Sequence, residues 1–118
     1  MAKTVIFIFH GDDNSLGTGS HVAERIRQVS AERGVELEVF CFGPAQDALT
    51  DENMEPARIE YRSQINALAA AGVPLGACLN DARSAGTVEN LEGRGIGLQF
   101  ARDAFARFGL EGATVISF

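Results

Sequence analysis

Short apolar runs that alternate with helix-like segments constrain the fold of this chain more than any other feature. The first run, from Lys3 to His10, is nearly continuous in Val, Ile and Phe, which is typical of a strand buried on both faces. Similar runs predict strands at 35–42, 73–78 and 113–118. Strands that alternate with helices indicate an α/β protein with a mainly parallel sheet.

Apolar residues at spacings of three and four predict the helices between these strands. A helix is expected from Ser20 to Arg33, and Gly34 is placed to end it. Two more are expected at 58–71 and 96–108. Asn80 is a candidate N-cap for a short helix that runs through residue 85.

Three segments carry no clear helical pattern. The segment 11–20 is rich in Gly, Asp, Ser and Asn and is predicted to be a loop. The acidic segment 45–57 is expected to be irregular. The pattern leaves 87–95 open, as either a short fourth strand or a loop.

Length and charge exclude several classes of function. With 118 residues the chain is expected to form one domain, 1–118, which is long enough to bury a core. Nucleic acid is an unfavourable partner for a net charge of −6, because the ten basic residues are scattered among sixteen acids. No apolar run approaches the roughly 20 residues that span a bilayer. The N-terminus is interpreted as a strand and not as a signal peptide, so we expect a cytoplasmic protein without membrane contact.

Cys78 is the strongest candidate for chemistry. It ends the third predicted strand, and parallel sheets gather their ligands beyond the carboxyl ends of the strands. Backbone N–H groups and the start of a helix would favour its thiolate, which is the nucleophilic form of cysteine. The alternative is a buried cysteine that acts as a small hydrophobic residue. Arg83, five residues on, is expected to lie on a solvated helix face.

The other candidate residues belong to the same predicted edge of the sheet. His10 ends the first strand and Asn80 follows Cys78, so both are possible helpers of the thiol. Cys41, near the end of the second strand, is expected to be structural, although a resolving pair with Cys78 is an open alternative. The cysteines and the two histidines lack the spacing of a metal site, so no metal is expected.

A second class of function rests on the segment Gly17, Thr18, Gly19 and Ser20. Flavodoxins carry a similar Gly- and hydroxyl-rich loop between the first strand and the first helix, where it wraps a phosphate. The chain has no Trp, and its single Tyr is predicted to lie in a helix, which disfavours a flavin. A non-enzymatic module that binds an anion or nucleotide therefore remains as an alternative, and a structural or partner-binding oligomer is another.

The chain resembles the DsrE/DsrF-like family of small sulfur-relay proteins. The resemblance is carried by the first strand and its loop, by Phe42-Gly43, by the stretch from Gly72 to Cys78 and by the ending Ala-Thr-Val-Ile-Ser-Phe118. It implies a three-layer α/β/α sandwich with about five strands in the sheet. It also implies that Cys78 accepts a sulfur atom as a persulfide.

The resemblance carries implications for partners as well. It implies that a donor or acceptor protein exchanges sulfur with Cys78 and that the chain assembles as a trimer or hexamer. No cofactor is implied. Leu79 and Asp81 depart from the family pattern, in which small residues or a second cysteine tend to surround the reactive one. Whether the chain is an enzyme, such as a sulfurtransferase, stays open.

Overall fold

A computed structural model describes residues 2–118 and contains a five-stranded, all-parallel sheet in the order β4-β3-β2-β1-β5. Helices cover both faces, so the fold is a three-layer α/β/α sandwich, as predicted. The strands are β1 (Ala2–Ile8), β2 (Val35–Cys41), β3 (Leu75–Cys78), β4 (Ile96–Gln99) and β5 (Thr114–Ser117). The helices are α1 (Asp13–Arg33), α2 (Pro44–Asp47), α3 (Pro56–Ala70), α4 (Leu79–Ala85), α5 (Val88–Gly93) and α6 (Ala101–Leu110).

The order of the strands distributes the helices unequally over the two faces. The chain moves stepwise from β1 to β4 in one direction, so right-handed crossovers place α1, α3, α4 and α5 on one face, which we call face A. The last crossover returns from β4 to the far side of β1 and places α6 on the opposite face, face B. Within residues 2–118, face B is therefore covered by one helix of ten residues.

Each face has its own core. On face A the strands contribute Val39, Cys41 and Ala77 to a large apolar cluster with α1 and α3. On face B, Val5 and Phe40 pack against Ala104 and Phe108 of α6. Because side chains alternate along a strand, residue numbers of one parity line one face of each strand.

The main error of the sequence-based prediction lies between residues 96 and 100. The predicted helix 96–108 is wrong in its first turn, because Ile96–Gln99 is strand β4, paired with β3. Leu98 fits a strand, but it also lies on a helical face with Ala101, Phe105 and Phe108, so the pattern favours a helix there. The open segment 87–95 is neither strand nor simple loop, since it contains the short helix α5.

The predicted loop 11–20 is also wrong. Asp12 caps α1, and its carboxylate accepts the N–H of Ser15 at 3.0 Å, so the helix begins seven residues before the predicted Ser20. Gly19 is helical and buried because α1 packs closely on β1: a Cβ at this position would lie 2.9 Å from the Ile8 side chain. A tertiary contact has overridden the low helix propensity of the glycines.

An ion cluster on face B lies at the amino-terminal end of the strands. Glu38 is 5% exposed and accepts two hydrogen bonds from Arg107, at 2.9 and 2.7 Å. Lys3 adds an ion pair to Glu38 at 2.7 Å. Because Glu38 is paired on both sides, its burial carries no unpaired charge.

Candidate functional site

Cys78 is placed at the carboxyl edge of the sheet, on face B. It is the last residue of β3 and the N-cap residue of α4, with extended backbone angles. The residue is almost fully buried, at 4% exposure, but it lines an open cavity of about 420 Å³. The other residues that line this cavity come from the ends of three strands: Phe42, Asn80, Asp81, Phe100, Ala101 and Arg102. We call this space the Cys78 cavity.

Gln46 fixes the backbone of Cys78. Its side-chain oxygen accepts the Cys78 N–H and its side-chain nitrogen donates to the Cys78 carbonyl oxygen, both at 2.9 Å. Gln46 is 3% exposed, so these bonds are shielded from water. Strand β2 pairs with β3 only as far as Cys41 opposite Ala77. The backbone of β2 turns away after Cys41. The side-chain amide of Gln46 therefore supplies the next pair of hydrogen bonds to β3 in place of the β2 backbone.

A glycine makes this arrangement possible. Gly43 has φ 61° and ψ −137°, a region that only glycine adopts easily. A Cβ at Gly43 would also lie 2.5 Å from the ring of Phe9. The turn at Gly43 begins α2, which carries Gln46 under Cys78.

Aromatic rings and guanidinium groups form the outer wall of the cavity. Phe42 and Phe100 contribute apolar surface to the lining. The guanidinium carbons of Arg83 and Arg102 lie 5.7 and 5.6 Å from the centre of the Phe100 ring. Arg83 is exposed as expected, but it packs on an aromatic ring and does not simply extend into solvent.

Cys41 lies on the other side of the sheet. It is paired in register with Ala77, and both residues belong to the core of face A. Cys78 is one residue further along β3, so its side chain points to face B. The Tyr61 hydroxyl lies 3.4 Å from the Cys41 sulfur and donates to the Ala45 carbonyl oxygen at 2.9 Å. Burial raises the pKa of the Cys41 thiol to about 11. With the sheet between them, the two cysteines do not form the resolving pair considered from sequence.

The structure separates the two candidate helper residues. Asn80 lines the Cys78 cavity. His10 is exposed, stacks edge-to-face on Phe9 at 5.3 Å and is not part of the cavity lining. Of the two, only Asn80 shares the cavity with the thiol.

The alternative anion loop has no loop geometry. Gly17, Thr18, Gly19 and Ser20 all lie inside α1, and the Ser20 hydroxyl donates to the Leu16 carbonyl oxygen at 2.8 Å. The start of α1 carries the carboxylates of Asp12 and Asp13, which repel an anion. The hydrogen bonds from Ser15 also hold the pKa of Asp12 below its usual value, which keeps that carboxylate charged.

Several cavity residues were missed from the sequence. The sequence pattern predicts that Phe100, Ala101 and Arg102 lie in the interior of a helix, because it does not indicate β4. Gly95 and Gly97 around Ile96 argue against a helix there, since glycines are poor residues for a helix interior. Gln46 carried no signal in the sequence, because its role depends on a contact 32 residues away.

Structural comparison establishes the fold and leaves the activity open. The protein MTH1491 of Methanobacterium thermoautotrophicum, of unknown function, is 21% identical, with a TM-score of 0.72 over 100% of both chains. The ychN protein of E. coli is 19% identical, with a TM-score of 0.71 over 100% of both chains. BT1422 of Bacteroides thetaiotaomicron, a conserved protein of unknown function, is 13% identical, with a TM-score of 0.70 over 97% of this chain and 94% of that one. No protein-family model and no curated protein matches the sequence.

These observations define the chain as a three-layer α/β protein with one thiol in a cavity at the carboxyl edge of its sheet. Its fold is shared with small conserved bacterial and archaeal proteins. Within residues 2–118, no three His, Cys, Asp or Glu side chains come together as metal ligands. In the same range, no helix has the length and apolar character to cross a membrane.

Proposed function

We propose that the protein is a sulfur carrier in which Cys78 holds a sulfane sulfur as a persulfide. The observation that carries the proposal is the position of Cys78: its side chain lines a 420 Å³ cavity, while its backbone is held rigidly by Gln46. A carrier needs one accessible thiol, because the sulfur atom arrives and leaves on the same residue. The resemblance to the DsrE/DsrF-like family supports the same role for Cys78.

The placement of Cys41 favours a carrier over a dithiol redox protein. A dithiol mechanism needs a second thiol within reach of the first. Cys41 is buried on the opposite face, so it cannot attack a persulfide on Cys78 without unfolding of the sheet. A persulfide formed at Cys78 would therefore persist until a thiol from outside the chain removes it.

The partner of such a carrier is a donor or acceptor protein, and we further propose self-association. Strand β5 is an open edge, and its Val115 and Ile116 are 44% and 41% exposed although they point to opposite faces. None of its four residues is charged, so the edge lacks the usual protection against pairing. A second copy of the chain is the proposed occupant of this edge. If Ile116→Glu and wild type have the same molar mass in light scattering, self-association through β5 is excluded.

Loading with sulfur tests the carrier function. The reduced protein is incubated with inorganic polysulfide, desalted and treated with cyanide, which releases sulfane sulfur as thiocyanate. We expect about one equivalent from wild type and from Cys41→Ser, and none from Cys78→Ser. Equal thiocyanate from Cys78→Ser and wild type would remove Cys78 from the proposal.

A further inference from the structure

We propose that the Cys78 cavity takes a small anionic sulfur donor of the thiosulfate class, whose sulfonate group lies at the start of α6 while its sulfane sulfur faces Cys78. This inference rests on the carrier function proposed above and adds the class of donor. Two independent features of the cavity support it.

The first feature is the uncapped N-terminus of α6. Phe100 is the N-cap residue and supplies no side-chain acceptor. Its carbonyl oxygen accepts the N–H groups of Asp103 and Ala104, both at 3.0 Å. Among residues 2–118, no acceptor takes the N–H of Ala101 or Arg102, and both residues line the cavity. Free N–H groups at the positive end of a helix are suited to the oxygen atoms of an anion.

The second feature is the thiol itself. Cys78 is 4% exposed, and within the described part of the chain its sulfur makes no hydrogen bond. It lines the same cavity as the start of α6. The cavity therefore brings together a buried, unpartnered nucleophile and a set of unpartnered donors.

The charged groups around the cavity carry both signs, and Arg102 is the positive one in its lining. Arg102 lines the cavity, and Arg83 of α4 packs on the Phe100 ring. Asp81 lines the cavity and opposes an anion. Asp103 lies 3.2 Å from Arg102, but both side chains are at least half exposed, so this pair neutralises Arg102 only weakly. The opposing signs of Asp81 and Arg102 make the inference testable in both directions.

The proposed step is balanced without a further oxidant or reductant. The Cys78 thiol gives its proton to water, and the thiolate attacks the outer sulfur atom of thiosulfate. A new S–S bond forms at Cys78, and the S–S bond of thiosulfate breaks with its electron pair passing to sulfite. The products are the Cys78 persulfide and sulfite, and sulfite release measures the step directly.

The rate of sulfite release from thiosulfate tests the donor class. Arg102→Gln is expected to slow it about three- to tenfold, and Asp81→Asn is expected to accelerate it by a similar factor, because each changes one charge beside the donor. Arg25→Gln, an exposed arginine of α1, is the matched control and should leave the rate unchanged. Alkylation by uncharged iodoacetamide should stay within about twofold of wild type in all variants, since it carries no charge to be steered.

The outcomes separate this inference from the carrier function. Loading of Cys78 by polysulfide without any sulfite release from thiosulfate would overturn the donor class and leave the carrier intact. Equal thiosulfate rates in wild type, Arg102→Gln and Asp81→Asn would overturn the anion subsite. Failure to load from either donor would remove both proposals.

Discussion

Gln46 holds Cys78 by both of its backbone polar groups, with two hydrogen bonds of 2.9 Å inside the protein. The side-chain amide takes the place that the next peptide of β2 would have in the sheet. The orientation of the thiol toward face B thus depends on a residue of the short helix α2 as well as on β3 itself.

Replacement of Gln46 by Ala should destabilise the protein strongly. It leaves the N–H and C=O of Cys78 buried without partners, and the expected loss in the free energy of unfolding is about 2–4 kcal/mol. Urea denaturation measures it. Gln28→Ala is the control, because Gln28 is exposed and makes only a 3.5 Å contact to Glu24. Similar losses in the two variants would mean that the Gln46 bonds do not hold Cys78 in place.

Gly43 and Gly34 provide a matched pair of glycines with positive φ. Gly34 has φ 66°, ψ 36° and open space around it, so Gly34→Ala should cost about 1 kcal/mol. Gly43→Ala should cost clearly more, about 3 kcal/mol, because ψ is −137° and a Cβ would meet the ring of Phe9 at 2.5 Å. Thermal or urea unfolding of the two variants measures the two losses in the free energy of unfolding. Should Gly43→Ala prove no worse than Gly34→Ala, the described turn would be wrong.

The Glu38 cluster predicts a specific loss of stability in acid. Burial alone would raise the pKa of Glu38, but hydrogen bonds from Arg107 and Lys3 outweigh it and hold this pKa below its usual value of 4.5. A carboxylate with a lowered pKa stabilises the folded state at neutral pH, and this contribution is lost as the pH falls through the lowered pKa. Glu38→Gln should therefore cost about 2–4 kcal/mol at pH 7, and the gap to wild type should narrow below about pH 4.

Urea titrations of wild type and Glu38→Gln between pH 7 and pH 3 measure this gap. Glu36→Gln is the control, since Glu36 is an exposed residue of the same strand. A gap that stays constant over the whole range would show that the ionised form of Glu38 is not the stabilising one.

The two cysteines should differ sharply in reactivity. Cys41 is fully buried and its pKa is raised to about 11, so it should remain unmodified by iodoacetamide at pH 7 until the protein unfolds. The Cys78 side chain lines an open cavity and should react in the folded state. Peptide mapping after alkylation, with and without denaturant, identifies the modified residue. Modification of Cys41 in the folded protein at a rate like that of Cys78 would contradict the described burial.

The sequence contains much of the fold because the strand signals are local. The runs ending at Phe42 and Phe118 follow from β-branched and aromatic residues, the run ending at Cys78 is a short apolar stretch after Gly72, and all three strands are present. Strand β4 is not evident in the pattern because Leu98 also lies on a helical face with Ala101 and Phe105, and the same ambiguity conceals the start of α6. The seven-residue error at the start of α1 has a different cause: its glycines and polar residues are typical of a loop, but Gly19 is packed against Ile8.

The site could be predicted only in its central residue. Cys78 was identified because a strand end of a parallel sheet is a local feature with a known place in the fold. Gln46, Phe100 and Arg102 reach the same cavity from other segments, and no pattern along the chain connects them to Cys78. The face occupied by Cys41 depends on the register of β2 and β3, which a single sequence does not specify.

The intact mass of the protein after incubation with polysulfide tests the central claim most directly. Wild type, Cys41→Ser and Cys78→Ser are reduced, incubated with polysulfide and desalted, and their intact masses are measured by mass spectrometry. The measurement is repeated after treatment with a thiol reductant. We expect a gain of one sulfur atom in wild type and in Cys41→Ser, which the reductant removes, and no gain in Cys78→Ser. An unchanged mass in wild type, or a gain that survives in Cys78→Ser, would contradict it.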